Sequence, residues 1–203
     1  MKQKRNTIYS KYIKTKIDVL IAIIASIILS PLFIIIAIMI KVTSRGPVFF
    51  SQERVGANNR TFKILKFRTM KIDTPSNCPT HLLKSANSYI TTVGKFLRKT
   101  SLDELPQLWN IIKCDMAIVG PRPSLRNQID LNKLRDINGA SNVKPGLTGL
   151  AQISGRDELP IDIKAELDGK YIECITFHND FKIVACTFIK VLKSDGIKEG
   201  GTS

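Results

Sequence analysis

The stretch DVLIAIIASIILSPLFIIIAIMIK, from Asp18 to Lys41, determines how this 203-residue chain is organised. No residue from Val19 to Ile40 carries a formal charge. A continuous helix of that length, at about 1.5 Å per residue, would reach roughly the 30 Å thickness of a bilayer's hydrocarbon core. A simple transmembrane helix is therefore the first interpretation of the stretch.

The dipeptide Ser30-Pro31 interrupts the apolar run near its middle. Proline kinks or breaks a helix, and the hydroxyl of Ser30 could bond a carbonyl that the break leaves free. Basic residues, which favour the cytoplasmic side, flank the run at both ends. They are Lys2, Lys4, Arg5, Lys11, Lys14 and Lys16 before it, and Lys41, Arg45, Arg54, Arg60, Lys63, Lys66 and Arg68 after it. The sequence thus favours a re-entrant helix that turns at Ser30-Pro31, with arms of roughly 18 Å.

Two alternatives remain for this segment. A kinked helix could span the bilayer, and a secretory signal peptide also has a basic leader followed by an apolar core. The run is long for a signal peptide, and no small-x-small cleavage site closes it. We therefore treat residues 1–45 as a basic leader followed by a re-entrant membrane helix.

The composition restricts the kinds of partner and site. Lys and Arg number 31 against 17 Asp and Glu, and the formal charge of +14 indicates an anionic partner such as nucleic acid, acidic lipid or a phosphorylated substrate. Neither the four cysteines nor the two histidines show a metal-ligand spacing, which argues against zinc, thioredoxin-like and histidine-triad sites. We expect Cys78, Cys114, Cys174 and Cys186 to be reduced thiols of a cytosol-facing protein.

After the apolar run, two short segments rich in Phe, Val and Ile predict a β-hairpin. They cover residues 47–54 and 61–70, with turn residues at 56–59 between them. Residues 73–87 have the composition of a loop, and residues 93–99 predict a helix. The pattern S-x-x-E at Ser101 and Glu104 predicts a capped helix over 101–113, with Asp103 as the alternative cap because Pro106 then falls in the first turn.

The C-terminal half predicts a charged helix over 123–137 and a glycine-rich loop over 144–156. Beyond them, Phe181, Val184, Phe188 and Leu192 recur at helical spacing beside several lysines. That stripe is either a core-packing face or a basic amphipathic helix in the lipid interface. We expect an α+β fold: the membrane helix-break-helix, then one small cytosolic domain over 46–203 with a β-hairpin and amphipathic interfacial helices.

Three stretches concentrate groups able to act on phosphate: KFR at 66–68, RKTSLDELPQ at 98–107 and GPRP at 120–123. Taken alone, Asp103-Glu104 is explained as a helix cap and isolated arginines as solvated surface. Among many cations, however, an ionised carboxylate can hold Mg²⁺ against a phosphate ester or attack phosphorus to form an acyl phosphate. Both reactions need guanidinium or ammonium groups to spread the negative charge. Pro121 and Pro123 would stiffen the backbone on either side of Arg122.

Several of these stretches also match a known family. They are Asp18 with the apolar run and Ser30-Pro31, GPVFFSQERVG (46–56), FKILKFRTM (62–70), GKFLRKTSLDELPQLWN (94–110), VGPRP (119–123), KPGLTGLAQISGR (144–156) and LDGKY (167–171). In this order, over nearly the whole chain, they resemble the bacterial sugar transferase family, or monotopic phosphoglycosyl transferases, in the small form that consists of the catalytic domain alone.

The resemblance implies transfer of a sugar 1-phosphate from a UDP-sugar to polyprenyl (undecaprenyl) phosphate with release of UMP, the first membrane step of capsule, exopolysaccharide or glycoconjugate assembly. In that family the first carboxylate of the pair is a nucleophile that forms a covalent phosphosugar intermediate with the help of Mg²⁺. Carried over, Asp103 is the nucleophile and Glu104 its partner in metal binding and charge organisation. The substrate-binding candidates are Lys66, Arg68, Arg98, Arg122, Gln152 and Arg156. Two departures, Cys114 for a usual glycine and Leu150 for a frequent tryptophan, bear on the sugar rather than on the reaction.

The resemblance also implies partners and a location. They are an N-acetylated UDP-sugar, polyprenyl phosphate and anionic membrane lipid, at the cytoplasmic face of the bacterial inner membrane, with no nucleic acid and with homo-oligomerisation left open. The alternative of another class is a membrane-tethered module that binds anionic lipid or nucleic acid without catalysis. A second enzymatic alternative has Asp103 only holding Mg²⁺ while the carrier attacks directly in a ternary complex.

Overall fold

The fold combines helices with two small sheets. A computed structural model of the chain describes residues 8–74, 86–155 and 159–193. Within these ranges the helices are α1 (Lys14–Ile28), α2 (Ser30–Thr43), α3 (Ala86–Tyr89), α4 (Thr92–Lys99), α5 (Gln107–Ile112), α6 (Ile129–Asn138), α7 (Leu150–Ser154), α8 (Ile161–Glu173) and α9 (Phe177–Lys193). The strands are β1 (Phe49–Val55), β2 (Thr61–Phe67), β3 (Ala117–Val119) and β4 (Gly146–Thr148). This mixture confirms the α+β class.

Helices α1 and α2 form a bent pair around Leu29. A π-helical turn, Tyr9–Ile13, leads into α1, and the axis of Tyr9–Ile28 is bent by 63° from that of α2. Ser30 donates its hydroxyl to the carbonyl of Ile27 at 2.8 Å, which confirms the predicted use of this side chain at the break. Within the described ranges no single helix is long and apolar enough to cross a membrane, although the two arms pass that test when taken together.

Strands β1 and β2 form the predicted hairpin. They pair antiparallel, with Phe49 opposite Phe67. In the turn, Asn58 and Asn59 have φ values of 53° and 59°, and asparagine is one of the few residues besides glycine that adopts this left-handed conformation readily. Strand β2 buries both Ile64 and Phe67. Because side chains alternate along a strand, these two residues lie on opposite faces, and they join different core clusters.

The core joins the N-terminal helices to the rest of the chain. One cluster packs Ala22 of α1 against Ile64 of β2 and Ile111 of α5, and another packs Ile40 of α2 against Phe67. Full burial of large apolar side chains stabilises a fold by about 1.5–3 kcal/mol each. The outer faces of the two helices expose Leu20, Ile27, Ile28, Ile34, Ile35 and Val42. Each helix therefore has one face in the core and one apolar face uncovered, while the division at residue 45 stays a prediction.

A buried polar cluster, made of Tyr9, Lys14, Asp18, Tyr171 and Asp180, holds α1 against α8 and α9. The carboxylate of Asp180 accepts hydrogen bonds from Lys14 Nζ at 2.6 Å and from the hydroxyls of Tyr9 and Tyr171 at 2.8 and 2.9 Å. Lys14 Nζ also lies 3.3 Å from the carboxylate of Asp18, which in turn accepts a hydrogen bond from a backbone N–H of β3. The first and last described helices are thus joined through charges inside the protein.

The prediction of a capped helix over 101–113 is wrong at its start. Ser101 has a left-handed φ of 56° and makes no capping bond, and the 3-10 turn Leu102–Glu104 follows it. Helix α5 begins only after Pro106 and has no side-chain cap, so neither candidate cap is used. The physical reason is that Glu104 directs its carboxylate to a cationic side chain of β2 instead of back to the chain at Ser101.

The helix predicted from residue 123 begins later, at Ile129. The residues before it are held by bonds between side chains and backbone instead of by helical bonds. Leu125 N–H, for example, donates to Gln128 Oε1 at 2.8 Å. Such local bonds compete with helix formation, and they are invisible in a pattern of apolar and polar residues.

The prediction of a loop over 144–156 is also wrong, because this segment contains β4 and α7. Strand β4 pairs parallel with β3. The glycines that suggested a loop serve close approach: a Cβ on Gly146 would lie only 2.1 Å from the backbone nitrogen of Gly120. The glycine-rich composition therefore allows two parallel strands to pack closely.

The C-terminal stripe lies on α9 but only part of it is covered. Val184 is partly buried against a core cluster, whereas Phe181 and Phe188 are 65% and 67% exposed. A core-packing face is therefore wrong for these two phenylalanines.

Three of the four cysteines, at 114, 174 and 186, are free thiols, as predicted. Cys78 and most of the predicted 73–87 loop fall in residues 75–85, which lie outside the described residues.

Candidate active site

Glu104 lies between two cations from distant parts of the chain. Lys66, near the end of β2, donates from Nζ to Glu104 Oε1 at 2.7 Å. Arg122, in the loop after β3, donates from Nη2 to the same oxygen at 3.2 Å. Lys66 and Glu104 are largely buried, whereas the Arg122 side chain is nearly half exposed. The structure thus brings three of the candidate residues together, with one guanidinium group open to solvent.

Asp103 and Glu104 occupy the 3-10 turn between α4 and α5, and α4 holds that turn in place. The hydroxyl of Thr91 caps α4 by accepting a hydrogen bond from Gly94 N–H at 2.9 Å. A Cβ on Gly94 would lie 2.0 Å from the carbonyl oxygen of Thr69. Because only glycine permits this approach, α4 packs directly against the chain that leaves β2, and the turn lies beside Lys66.

The two carboxylates of the turn have different environments. Asp103 is only 8% exposed, and burial raises its pKa; Lys66 opposes the rise, Glu104 adds to it, and the pKa reaches about 6. Burial acts on Glu104 as well, but Lys66 and Arg122 outweigh it and hold the pKa of Glu104 well below its ordinary value. At neutral pH both groups are therefore mostly ionised. Neighbouring carboxylates whose pKa values are pushed apart are typical of catalytic pairs.

The loop that carries Arg122 is hydrogen-bonded along its backbone. Three of the bonds join backbone groups: Gly120 N–H to Thr148 O at 2.9 Å, Gly146 N–H to Pro121 O at 2.8 Å and Val55 N–H to Ser124 O at 2.9 Å. Two more come from arginine side chains. Arg135 Nη1 donates to Arg122 O at 2.9 Å, and Arg54 Nη1 donates to Pro123 O at 3.3 Å. We call residues 120–124 the PRP loop. Its donors come from the hairpin, β4 and α6, so three elements fix the direction in which Arg122 leaves the backbone.

A family model matches most of the chain. The model of the family described as bacterial sugar transferase matches residues 9–194. The chain belongs to the bacterial sugar transferase family. This confirms the family that the motifs resemble. It also favours an enzyme over a module that only binds anionic lipid or nucleic acid.

Three relatives of this transferase show how its length compares. The exopolysaccharide production protein ExoY of Sinorhizobium fredii is 38% identical over 198 residues, which cover 90% of this chain and 87% of the relative. The undecaprenyl-phosphate galactose phosphotransferase of Salmonella typhimurium is 36% identical over 202 residues, covering 92% and 42%. The UDP-glucose:undecaprenyl-phosphate glucose-1-phosphate transferase of Klebsiella pneumoniae is 37% identical over 180 residues, covering 85% and 38%. The chain thus spans most of the first relative and less than half of the other two.

The remaining substrate-binding candidates of the transferase lie in different places. Arg98, in the last turn of α4, acts electrostatically on Asp103. Arg68 is buried, and its guanidinium donates to the carbonyl oxygens of Ser44 and Arg45, so it binds the chain that leaves α2. Substrate binding by these two arginines stays a prediction.

Gln152 and Arg156 belong to the segment around α7. Gln152 is buried and donates from Nε2 to the carbonyl of Leu147 at 3.0 Å. Its Oε1 is buried without a hydrogen-bond partner among the described residues, so it could accept a bond from a ligand or a water molecule. Arg156 lies outside the described residues, and its role stays a prediction, as does that of Gln152.

Two residues near the site of the transferase, Arg135 and Asp168, were not among its predicted site residues. Arg135 contacts the backbone of Arg122, and Asp168 binds Arg135. Asp168 belongs to the LDGKY stretch that supports the resemblance, but no role was assigned to it. Arg135 lies in a helix of ordinary charged composition, and no local pattern distinguishes it. Only the folded arrangement of α6 and α8 shows that the two meet.

The donor set of the transferase fits a metal ion shared with a substrate. Among the described residues, no group of three or more His, Cys, Asp or Glu side chains could hold a metal ion. Two adjacent carboxylates, Asp103 and Glu104, are nevertheless present, and Glu104 uses only Oε1 for its two cations. Mg²⁺ in phosphate-transferring sites is held by one or two carboxylates together with water and substrate phosphates. The site therefore fits Mg²⁺ bound together with a diphosphate.

Proposed function

We propose that this transferase moves a sugar 1-phosphate from a UDP-sugar to polyprenyl (undecaprenyl) phosphate and releases UMP, through a covalent phosphosugar on Asp103. The observation that carries the proposal is the environment of Asp103: a buried carboxylate beside an ionised Glu104, which is bound by Lys66 and Arg122. By name, two relatives act on undecaprenyl phosphate, one as a galactose phosphotransferase and the other with UDP-glucose.

In the first proposed step, an oxygen of the Asp103 carboxylate attacks the phosphorus that bears the sugar. The bond from that phosphorus to the bridging oxygen of the diphosphate breaks, and UMP leaves with the electron pair. Lys66 and Arg122 would stabilise the negative charge on the phosphoryl oxygens during the attack. Because Asp103 is buried, it has few water molecules to lose before it reaches phosphorus.

In the second step, a phosphate oxygen of the polyprenyl carrier attacks the same phosphorus. The Asp103 oxygen leaves with its electron pair, which restores the carboxylate and gives polyprenyl diphosphate sugar. The two substrates can therefore use one site in turn. No co-reactant beyond the UDP-sugar and the carrier is needed.

Mg²⁺ belongs to this proposal. Asp103 and Glu104 would hold it together with the diphosphate, and the bound ion would supply further neutralisation of phosphate charge. Lys66 and Arg122 keep Glu104 ionised and therefore able to act as a ligand.

The proposed re-entrant placement of α1 and α2 rests on their uncovered apolar faces and on the break at Ser30. Apolar side chains line the outer faces of both helices, and the axes are bent by 63°. The exposed Phe181 and Phe188 of α9 would add contacts with the lipid interface. In this placement, at the cytoplasmic face of the inner membrane, Asp103 could meet both a water-soluble nucleotide sugar and a lipid-borne phosphate.

Single cysteines in a variant lacking the native thiols test this placement. Thr15 and Thr43 are exposed positions near the two ends of the bent pair. For Thr15→Cys and Thr43→Cys, we expect no labelling by a membrane-impermeant thiol reagent in intact spheroplasts and full labelling of both after permeabilisation. A helix that spans the membrane would instead expose one of the two positions to the reagent before permeabilisation.

Family membership does not fix the sugar, because the names of the relatives specify galactose in one case and glucose in another. An N-acetylated UDP-sugar stays the proposed substrate. A panel of UDP-sugars, ranked by kcat/KM for UMP release, identifies the preferred donor.

Isotope exchange without the lipid acceptor tests the covalent route. We expect labelled UMP to enter the UDP-sugar pool in the presence of the transferase alone, because the first step is reversible and does not need the carrier. Mass spectrometry should then place one sugar phosphate on the peptide that contains Asp103. Turnover with carrier but no exchange and no adduct without it would overturn the covalent route and support direct attack in a ternary complex.

A further inference from the structure

We propose that the buried pair Arg135–Asp168 is a positioning device that fixes the PRP loop, and through it the guanidinium of Arg122, for binding the diphosphate of the donor. This inference rests on the proposed function and adds two residues to it. Arg135 and Asp168 would not touch the substrate; they would act through the backbone of Arg122.

All three nitrogens of the Arg135 guanidinium donate hydrogen bonds. Its Nε and Nη2 donate to Asp168 Oδ2 at 2.8 and 2.6 Å, and its Nη1 donates to the carbonyl of Arg122 at 2.9 Å. Arg135 is 7% exposed and Asp168 1% exposed. The planar fork lets one side chain bond a carboxylate and a carbonyl at fixed angles, which the single ammonium of a lysine does not reproduce.

The PRP loop needs such external donors because of its own composition. Pro121 and Pro123 have no N–H, so the loop cannot be held by hydrogen bonds from these two residues. It is held instead through three consecutive carbonyls, those of Pro121, Arg122 and Pro123. The central carbonyl is bound by Arg135 and its neighbours by a backbone N–H of β4 and by Arg54. The bond from Arg135 therefore acts at the residue whose side chain reaches the site.

Stability alone does not account for the pair. Removing two charges from water is costly, and apolar residues of similar size often serve a fold as well as or better than a buried ion pair. An apolar pair, however, would leave the Arg122 carbonyl without its donor. The partly exposed side chain of Arg122 lies 3.2 Å from Glu104. A shift of the Arg122 backbone would therefore move its guanidinium away from the 3-10 turn that carries Asp103 and Glu104.

The expected result for Arg135→Lys is a fall in kcat/KM for UMP release of about 10- to 100-fold, since misplacement by about 1 Å can cost a factor of this size. In an Arg122→Ala background, the same substitution should change kcat/KM by less than about threefold, because the group through which it acts is already gone. Equal fold-changes in both backgrounds would overturn the proposal, since a structural defect acts regardless of Arg122.

Two further variants separate positioning from stability. Asn138→Ala removes the bonds from Asn138 to Ala165 O and Ala140 N–H; it perturbs the same pair of helices without touching the PRP loop and should leave kcat/KM within about twofold. The double variant Arg135→Met/Asp168→Val is expected to fold, because it removes both buried charges together. It should still lose activity like Arg135→Lys. Full activity in this double variant would show that the pair serves only the fold.

Measuring the binding of UDP-sugar directly tests the role of Arg135 without relying on the covalent route. If wild-type protein forms no adduct, the proposed chemistry fails. The coupling between Arg135 and Arg122 can still be measured from the Kd for UDP-sugar by calorimetry. We expect Arg135→Lys to weaken binding in wild type and not in Arg122→Ala. Unchanged binding in wild type, together with unchanged turnover, would overturn the positioning role.

Discussion

Asp103→Asn is expected to abolish UMP release, with a loss on the order of 10⁴-fold or more, as occurs when a nucleophile of covalent catalysis is removed. The amide is nearly isosteric with the carboxylate but has no negative charge with which to attack phosphorus. The measurement is a single-turnover assay of UMP release, with and without the lipid acceptor. Asp130→Asn, which changes an exposed carboxylate in the first turn of α6, is the matched control and should retain wild-type rates.

The same variant should not unfold. Burial raises the pKa of Asp103, so the folded state favours its neutral form, and at pH values above that pKa the ionised side chain makes the fold less stable. A neutral asparagine removes this penalty, and the unfolding midpoint, measured at pH 8 without added metal, should stay equal or rise. Loss of activity with retained stability is typical of a side chain kept for chemistry. Near-normal turnover by folded Asp103→Asn would eliminate the nucleophile and with it the proposed mechanism.

Asp180→Ala is expected to lower the free energy of unfolding by about 3–5 kcal/mol, the range for breaking a buried ion pair from one side. The substitution leaves the buried Lys14 with Asp18 alone at 3.3 Å, and it removes the acceptor of the Tyr9 hydroxyl. It also removes one of the two acceptors of the Tyr171 hydroxyl. The measurement is denaturant unfolding of the purified protein in one detergent at fixed concentration.

An exposed ion pair of the same protein supplies the control for Asp180→Ala. Lys170 and Glu166 meet at 2.6 Å on the outer face of α8, where both side chains are more than half exposed. Lys170→Ala should cost less than about 1 kcal/mol, because solvent screens such pairs. Asp180→Asn, which keeps an acceptor oxygen but not the charge, should fall between the two. A cost for Asp180→Ala no larger than that for Lys170→Ala would contradict a stabilising role for the polar cluster.

Elements encoded by neighbouring residues could be predicted from the sequence. The hairpin follows from two apolar segments around Asn58 and Asn59, and α4 from the helix predicted over 93–99. The Thr91 cap of α4 is seen only in the structure. The break at Ser30 follows from proline chemistry, including the bond of the Ser30 hydroxyl to a freed carbonyl. In each case the deciding interactions join residues that are close in the chain. The resemblance to the family was needed to assign separate roles to the two carboxylates.

What could not be predicted depends on contacts between distant residues. Ser101 and Glu104 have the spacing of a capping box. The Glu104 carboxylate is instead bound by Lys66, which lies 38 positions earlier in the chain, and the cap does not form. The glycines of 144–156 suggest a loop until β3 provides the partner strand. Arg135 meets Asp168 only after α6 and α8 pack. Local patterns contain no information on such partners, because each requires the tertiary structure to exist first.

The polar cluster also constrains how the protein is made. Lys14 and Asp180 are 166 positions apart, so a ribosome adding about 5–20 residues per second needs roughly 8–33 s to pass from one to the other. Throughout that interval Lys14 and Asp18 of the nascent α1 lack Asp180, the acidic residue that completes their cluster. The helix pair therefore reaches the translation exit well before the rest of the molecule can close around it. The polar cluster is completed last, when α9 brings Asp180 to Lys14.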